Sequence, residues 1–583
     1  MDLTDTNDKS IEKINGIKYI WHLPELRRDS IVNNAISYNI SFGIIQALLN
    51  RGYTSKESLD NYLFSTFEKD VANPALLKDA VKAVERILQA IKNGEKILIC
   101  GDYDVDGITS SAMMMKCLVP LGAKINFFLP NRVKDGYGLS ANTVKRAAQN
   151  DYKVLITVDN GTTAFEAAQV AKELGIDLII TDHHKPHDIL PDVYALVNPH
   201  QEDCNYPFKK FAGVGVTFKI LSLLYQTLGK SLPEKVYELL LLGTIADVVP
   251  LTGENRFWVR YGLNLINSAH SLPVRLLKEN VKLNKEKISS SDIGFFLAPQ
   301  INALGRLDDA RQGVRFLLEA NEEEVQHVAI ILKEFNEARK EIEKRTLSDV
   351  TKLVENNQIN LDQERIIVAH SKEWQPGVIG LVASRVVGLY NRPALLFHIT
   401  NQNLAKGSCR SIPTFNMFNA LNENKDLLIT FGGHSAAAGL SLEKSNLPKL
   451  KDKLEENIRK QIPEYEPKPI LKLDAEIFTS EINKKFMHDL KYIEPFGHEN
   501  SQPLFYLKDV SIIAKPTLLK DAHVKCLIFS EGIIKSVIFF NRPDIYNILL
   551  ENQDKNISIA VYVTENHFND RISIEFQGID IAL

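Results

Sequence analysis

Cysteine is scarce in this chain: five residues in 583, namely Cys100, Cys117, Cys204, Cys409 and Cys526. They are scattered, odd in number and form no CxxC pair. That excludes a disulfide framework and a thiolate zinc knuckle, and it points to a reducing compartment. Long apolar runs are missing too. None reaches the roughly 18 residues that a membrane-spanning helix needs. The first residues, Met1-Asp2-Leu3-Thr4-Asp5-Thr6, are polar and acidic, unlike a secretory signal. The expectation is a cytoplasmic protein without membrane contact. A basic excess is also absent, with 69 Lys and Arg against 73 Asp and Glu and a net charge of −4. Non-specific nucleic-acid binders often carry such an excess. If this chain handles nucleic acid, its positive charge must be focused in a groove, with metal ions offsetting the carboxylates. There is no internal repeat and no low-complexity tract.

What is present is ordinary in bulk and specific in detail. A hydrophobic share of 44% with 24% charged residues suits a soluble globular protein, and the length suggests about three to four domains. From about 95 to 200, short β-branched runs (Ile97–Cys100, Ile125–Leu129, Val154–Val158, Leu178–Thr181, Ala195–Val197) alternate with helical stretches. This pattern predicts an α/β domain with a parallel sheet covered on both faces, with its ligand site beyond the carboxyl ends of the strands. A long helix is expected from Asn321, with Glu324 at the reciprocal capping position. A second α/β unit follows from about 364 to 462, and Pro463–Pro469 reads as a stiff linker. Short strands then dominate to Leu583 and suggest a small β-barrel of OB type. The limits expected are an N-terminal segment 1–75, a first α/β domain 76–320, a connecting helix 321–360, a second α/β domain 361–465 and the barrel 466–583.

Acidic residues stand at the predicted strand ends. Asp102-Tyr103-Asp104-Val105-Asp106-Gly107 follows Ile97–Cys100 on a strand-to-helix turn, where three carboxylates repel one another unless a cation sits among them. Asp159-Asn160-Gly161 follows Val154–Val158, and Asp182-His183-His184 follows Ile179–Thr181. Asp247 is acidic within the apolar run Gly243–Pro250. A turn at Gly213–Gly215 lets a loop approach the same place. Oxygen ligands with one or two imidazoles suit Mn²⁺ or Mg²⁺. Two such ions sharing a carboxylate would form a hydrolytic centre.

The ordered set, with the glycine-rich Phe431–Gly439 segment downstream, resembles the DHH phosphoesterase superfamily. Within it, Asn131–Leu139, Asn302–Leu307, Gly377–Gly380 after Trp374, and Gly407–Ile412 are similar to the RecJ single-strand-specific exonucleases. The resemblance runs from about Ile45 to the C-terminus. It implies a DHH domain, a DHHA1-type second domain and an OB-like third. It also implies metal-dependent 5′-to-3′ hydrolysis of single-stranded DNA, in recombination and repair beside helicases and single-strand-binding protein. By the resemblance, Asp104, Asp106, Asp159, His183 and Asp247 hold two metals, with Asp159 bridging. His184 faces the scissile phosphate as electrophile or acid, and Asp182 orients a ligand imidazole. Many superfamily members carry a histidine ligand where this chain has Cys100. Water or Asp102 takes that coordination position here.

On the substrate side, Arg306, Arg410 and Arg132 are candidates to grip phosphate bidentately. Asn302 and Ser408 lie in the same family-like segments. Gly433 and His434 lie on the glycine-rich stretch, which either lets backbone approach phosphate or is a tight turn. Phe505, Tyr506, Phe529, Phe539, Phe540, Phe568 and Phe576 are available for base stacking in the barrel, though most alternate with apolar neighbours as core residues do. Two other readings stand beside the exonuclease. A phosphoesterase of small substrates has no use for a terminal barrel. A non-catalytic nucleic-acid scaffold is at odds with the nearly complete acidic set.

Overall fold

The apolar runs between 95 and 200 form one parallel sheet. The computed structural model describes residues 12–131, 136, 138–307, 309–319, 321–466, 468–568 and 571–583. Lys124–Phe128, Lys96–Cys100, Tyr152–Val158, Asp177–Thr181 and Ala195–Val197 lie side by side in that order, all parallel. Side chains alternate between the two faces, as strand geometry requires. Ile97, Ile99, Val154, Ile156 and Ile179 join the core formed with helices Val105–Leu118, Gly213–Thr227 and Lys235–Ala246. Leu98, Cys100, Leu155, Leu178 and Ile180 join the core under Ala141–Gln149 and Phe165–Glu173. Burial on both faces explains why these strands read as unbroken apolar runs. Along the sheet the first strand in sequence lies between the second and the third. The order therefore reverses between Lys96–Cys100 and Tyr152–Val158, and sheets of this kind bind their ligands beyond the carboxyl ends of the strands at such a reversal.

The helix Gly213–Thr227 is anchored from within. Lys219 is 1% exposed and ion-paired with Glu254, which also accepts from Tyr206 Oη at 2.7 Å and from Trp258 Nε1 at 3.0 Å. Breaking one side of so buried a pair costs about 3–5 kcal/mol, so this helix is held firmly behind its N-terminus.

The expected long helix spans Glu322–Glu355, 34 residues and about 51 Å of rise. The Asn321 side chain accepts from the Glu324 amide at 3.2 Å. Its buried stripe runs Val325, Val328, Leu332, Arg339, Glu343, Val350, at helical spacing. Val325 to Leu332 belong to the first core and Val350 to that of the next domain. Between them, buried Glu343 pairs with Arg339 and with Arg385 on helix Pro376–Tyr390. That next domain carries a mixed sheet in the order Thr430–Gly433, Ala437–Glu443, Leu404–Arg410, Ala394–Ile399, Ile367–Ser371. Only the last pair is parallel.

The chain divides into two compact units, Val71–Pro467 on the one hand and Lys468–Leu583 with the residues up to Asp70 on the other. In the latter, Phe505–Ile512, Asn556–Phe568, Arg571–Ala582, Ile533–Phe539 and His523–Ser530 pair in sequence round a barrel. It closes where His523–Ser530 meets Phe505–Ile512. Ile470–Lys472 pairs with the N-terminal strand Ile20–His22. Trp21 Nε1 donates to fully buried Asp580 at 3.0 Å. Phe505, Tyr506, Phe539 and Phe576 are core, whereas Phe529 and Phe540 are 41% and 50% exposed. The side chain of Phe568 lies outside the described residues. Among those residues, no helix is long and apolar enough to cross a membrane.

Candidate metal centre

The Asp102–Asp106, Asp159 and Asp182 stations leave the sheet at the same level, because the register aligns Cys100 with Thr157 and Val158 with Thr181. Asp104 is the N-cap of Val105–Leu118 and accepts from the Gly107 amide at 3.1 Å. Asp106, in the first turn of that helix, is 1% exposed. Its two oxygens accept from the Gly213 and Val214 amides at 2.6 and 2.7 Å. The expected Gly213–Gly215 turn is thus the first turn of a helix, and its free amides grip a carboxylate. Asp159 sits at φ 63°, a left-handed conformation that is uncommon outside glycine and marks functional positions. A Cβ on Gly213 would lie 2.5 Å from the Asp159 Cβ, so glycine is required for the close approach. Asp247 follows helix Lys235–Ala246, and the next residue, Val248, is held at φ 60° while 62% exposed. A β-branched residue there is strained.

His183 Nε2 lies 3.2 Å from Asp159 Oδ1, 3.6 Å from Asp247 Oδ2 and 3.9 Å from Asp106 Oδ2. Asp106, His183 and Asp247 form one group whose ligand atoms all lie within 4.8 Å of one another. Asp102, Asp104 and Asp159 form a second, and Asp159 also groups with Asp182, His183 and His184. Among the described residues, His183 Nε2 and Asp247 Oδ2 are buried without a hydrogen-bond partner. Such atoms are costly unless something fills the space between them.

Electrostatics point the same way. Burial, then the Asp104 charge, pushes Asp106 up to about 7 against the pull of the Val214 and Gly213 amides. Burial and the neighbouring carboxylates, Asp106 first, push Asp159 and Asp247 well above the ordinary range. Burial and the charge of His184 lower His183 to about 4, which leaves the neutral imidazole that ligates metals. Converging carboxylates and a neutral imidazole form a donor set fit for hard divalent cations. At the Cys100 position, burial raises the thiol to about 12, so it stays protonated in the metal-free protein.

His184 is different. Its Nδ1 lies 2.7 Å from Asp182 Oδ1, and burial is outweighed by that bond and charge, raising the ring to about 9. Burial tends to raise Asp182, but the His184 bond and the charges of both histidines hold it far below the usual carboxylate range. Asp182 also accepts from the His183, His184 and Thr162 amides. Asn198 bridges the Thr162 hydroxyl and the His184 carbonyl, a support that no sequence motif flagged.

A pH-dependent prediction follows. The folded pKa of Asp106, about 7, lies above its ordinary 3.8. Between these values the folded chain binds more protons than the unfolded chain, so the metal-free protein should lose stability as pH rises through that window. Metal binding must displace these protons at low pH. Mn²⁺ should therefore raise Tm more at pH 8 than at pH 5.5 in thermal scans. Equal shifts would contradict this electrostatic account.

The substrate-side candidates are spread more widely. Asn302 Oδ1 accepts from the Val105 amide at 3.1 Å, directly at the metal turn. Arg306 on the same helix, Ala298–Leu307, donates to the Gly377 carbonyl at 2.9 Å. Arg410 donates to Ser408 Oγ at 3.1 Å and to the Cys409 carbonyl at 2.8 Å. Gly433, at φ 142°, and exposed His434 sit at a hairpin turn between Thr430–Gly433 and Ala437–Glu443, where the His434 amide bonds the Ala437 carbonyl at 2.8 Å. Arg132 lies outside the described residues.

The domains that carry this geometry match known families. Models of the DHH family N-terminal domain, the DHHA1 domain and the RecJ OB domain match residues 96–244, 363–460 and 473–580. The chain is 35% identical to the single-stranded-DNA-specific exonuclease RecJ of Bacillus subtilis, over 97% of this chain and 71% of that protein. Crystal structures of RecJ from Thermus thermophilus, with Mn²⁺ and with Mg²⁺, superpose with TM-scores of 0.80 and 0.73 at 27% and 25% identity. Each covers 97% of this chain and, respectively, 79% and 78% of the other. The chain belongs to the RecJ family, within the DHH phosphoesterases.

Proposed function

We propose that this chain is a metal-dependent exonuclease that hydrolyses the phosphodiester bonds of single-stranded DNA from the 5′ end, in recombination and repair. The observation that carries the reading is the convergence of His183 Nε2 on Asp106, Asp159 and Asp247, beside the Asp102–Asp104–Asp159 group. Asp106, His183 and Asp247 would hold one divalent ion, and Asp102 and Asp104 a second, with Asp159 available to both. Bound Mn²⁺ or Mg²⁺ supplies Lewis acidity toward the phosphate and activates water. His184, kept cationic by Asp182, turns its half-exposed ring to the scissile phosphate. It offsets negative charge there or delivers a proton to the leaving oxygen. Arg306, Arg410, Ser408, Asn302, Arg132 and the Gly433-His434 turn hold the strand. The domain limits are catalytic 76–320, helix 321–360, substrate-binding 361–465 and nucleic-acid-binding 466–583, after an N-terminal segment 1–75. Work in the cytoplasm beside a helicase and single-strand-binding protein belongs to the same reading.

The test is incubation with Mn²⁺ and end-labelled single-stranded, duplex and dinucleotide substrates. Mononucleotide release from the single strand, with the duplex resistant, is expected. Preference for the dinucleotide or inertness toward all three would overturn the reading.

A further inference from the structure

The helix that carries Asn302 begins with a π-helical turn, Ile293–Leu297, a wide turn that often marks functional positions. Its two aromatic residues face water: Phe295 is 77% exposed and Phe296 45%. Large apolar side chains so exposed on adjacent positions are costly and call for a ligand. The turn is rigidly backed. Its Gly294 lies against Ile245, two residues before Asp247. Gln300, one turn on, is fully buried and donates to the Leu277 and Phe296 carbonyls at 2.9 and 2.8 Å.

Phe296 forms one wall of a cavity of about 360 Å³ whose other walls include Lys282, Lys333, Lys340, Asn336 and Glu337. Lys333 and Lys340 stand seven residues apart on the long helix and so share one face. These wall residues carry three ammonium groups and one carboxylate. Among the described residues none of the three lysines is ion-paired. The floor is preset, because Asn280 donates to Gln300 Oε1 at 3.0 Å and to the Ala329 carbonyl at 2.9 Å.

We infer that Phe295, Phe296 and the Lys282–Lys333–Lys340 cavity form a subsite for the single strand outside the metal centre, with bases stacked on the rings and phosphates on the ammonium groups. Two exposed rings beside three cations offer the two contacts an unpaired strand uses, stacking for its bases and charge for its phosphates. An acidic protein surface would meet the lysines but brings no row of aromatic bases to the rings. Distance favours the strand as well. From Phe296 to Asn302 the helix rises about 9 Å, and Asn302 touches the backbone between Asp104 and Asp106. Along the helix axis the two rings therefore lie within about two turns of the residue that touches the metal turn. The inference rests on the exonuclease reading above and adds to it a site that discriminates unpaired from paired bases, since only unstacked bases offer their faces.

The test uses steady-state kinetics of the full chain with Mn²⁺ on an ordinary single strand and on one with abasic residues through its 5′-terminal stretch. For Phe295→Ala/Phe296→Ala, KM on the ordinary strand should rise about ten-fold with kcat nearly unchanged, while KM on the abasic strand stays at the wild-type value. For Lys333→Gln/Lys340→Gln, the slope of log KM against log salt should fall by about 0.7 per lysine. Unchanged KM on the ordinary strand, or equal losses on both strands, would overturn the subsite while wild-type hydrolysis leaves the exonuclease reading standing. A wild-type chain that hydrolyses neither strand would overturn that reading and this inference with it.

Discussion

Replacing Asp159 with alanine is expected to lower kcat by about 10⁴-fold or more while the protein stays folded. The magnitude follows from its position. Asp159 belongs to the Asp102–Asp104–Asp159 group and lies 3.2 Å from His183 Nε2 of the other group. In the proposed bridging position its removal would take an oxygen from each ion at once, and about four decades correspond to roughly 5–6 kcal/mol of transition-state stabilisation. Stability should not suffer in proportion. The carboxylate is buried beside Asp106, Asp104 and Asp247, which makes its charge a burden on the metal-free fold. Alanine at φ 63° costs about 1–2 kcal/mol, and losing the buried charge offsets it. Asp159→Asn separates the two effects, since asparagine tolerates this conformation. It should raise the metal-free Tm and still abolish turnover. Substantial metal-dependent activity in either variant, measured by nucleotide release, would remove Asp159 from the bridging position.

Gly213→Ala should be nearly as damaging, although the residue has no side chain and takes no part in the chemistry. The added methyl would lie 2.5 Å from Asp159 Cβ and 2.7 Å from its Oδ1, so one of the two segments must shift. The helix cannot readily yield, because the buried Lys219–Glu254 pair holds it from behind. The same Gly213 amide holds Asp106 at 2.6 Å, so both ligand groups are disturbed together. A displacement of about 1 Å at such a site costs about 10²-fold in rate. The expected result is a folded protein with activity down by about 10²–10³-fold and weaker Mn²⁺ binding in titration. Gly388→Ala is the control, since a methyl there meets nothing within 4 Å. Wild-type activity in Gly213→Ala would show that the helix terminus does not set the ligand geometry.

The parts of this site that were legible in the sequence share a physical reason. Strands buried on both faces leave unbroken apolar runs, and a carboxylate at the end of such a run stands out against it. Asp102–Asp106, Asp159 and Asp182 each follow such a strand, whereas Asp247 stands out against the apolar helix Lys235–Ala246. The parallel sheet and the capped helix at Asn321 were legible through the same contrasts of period and polarity. What escaped is pairing over long sequence distance between groups without a side-chain signature. The Gly213 and Val214 amides reach Asp106 across more than a hundred residues, and the glycines suggested a loop rather than a helix start. The Thr162–Asn198–His184 bridge uses residue types common on any surface. Strain at Val248 is a backbone property that valine does not announce. In the barrel, alternation with apolar neighbours separated core from surface only in part: Phe505 and Phe576 are buried, while Phe529 and Phe540 face water.

Electron paramagnetic resonance of the Mn²⁺-loaded protein tests the central claim most directly, because ions that share a carboxylate couple their spins. Wild-type protein should bind two Mn²⁺ per chain and give a coupled signal, and Asp159→Asn should lose the coupling. One ion per chain, or two that remain uncoupled in the wild type, would contradict a centre bridged by Asp159.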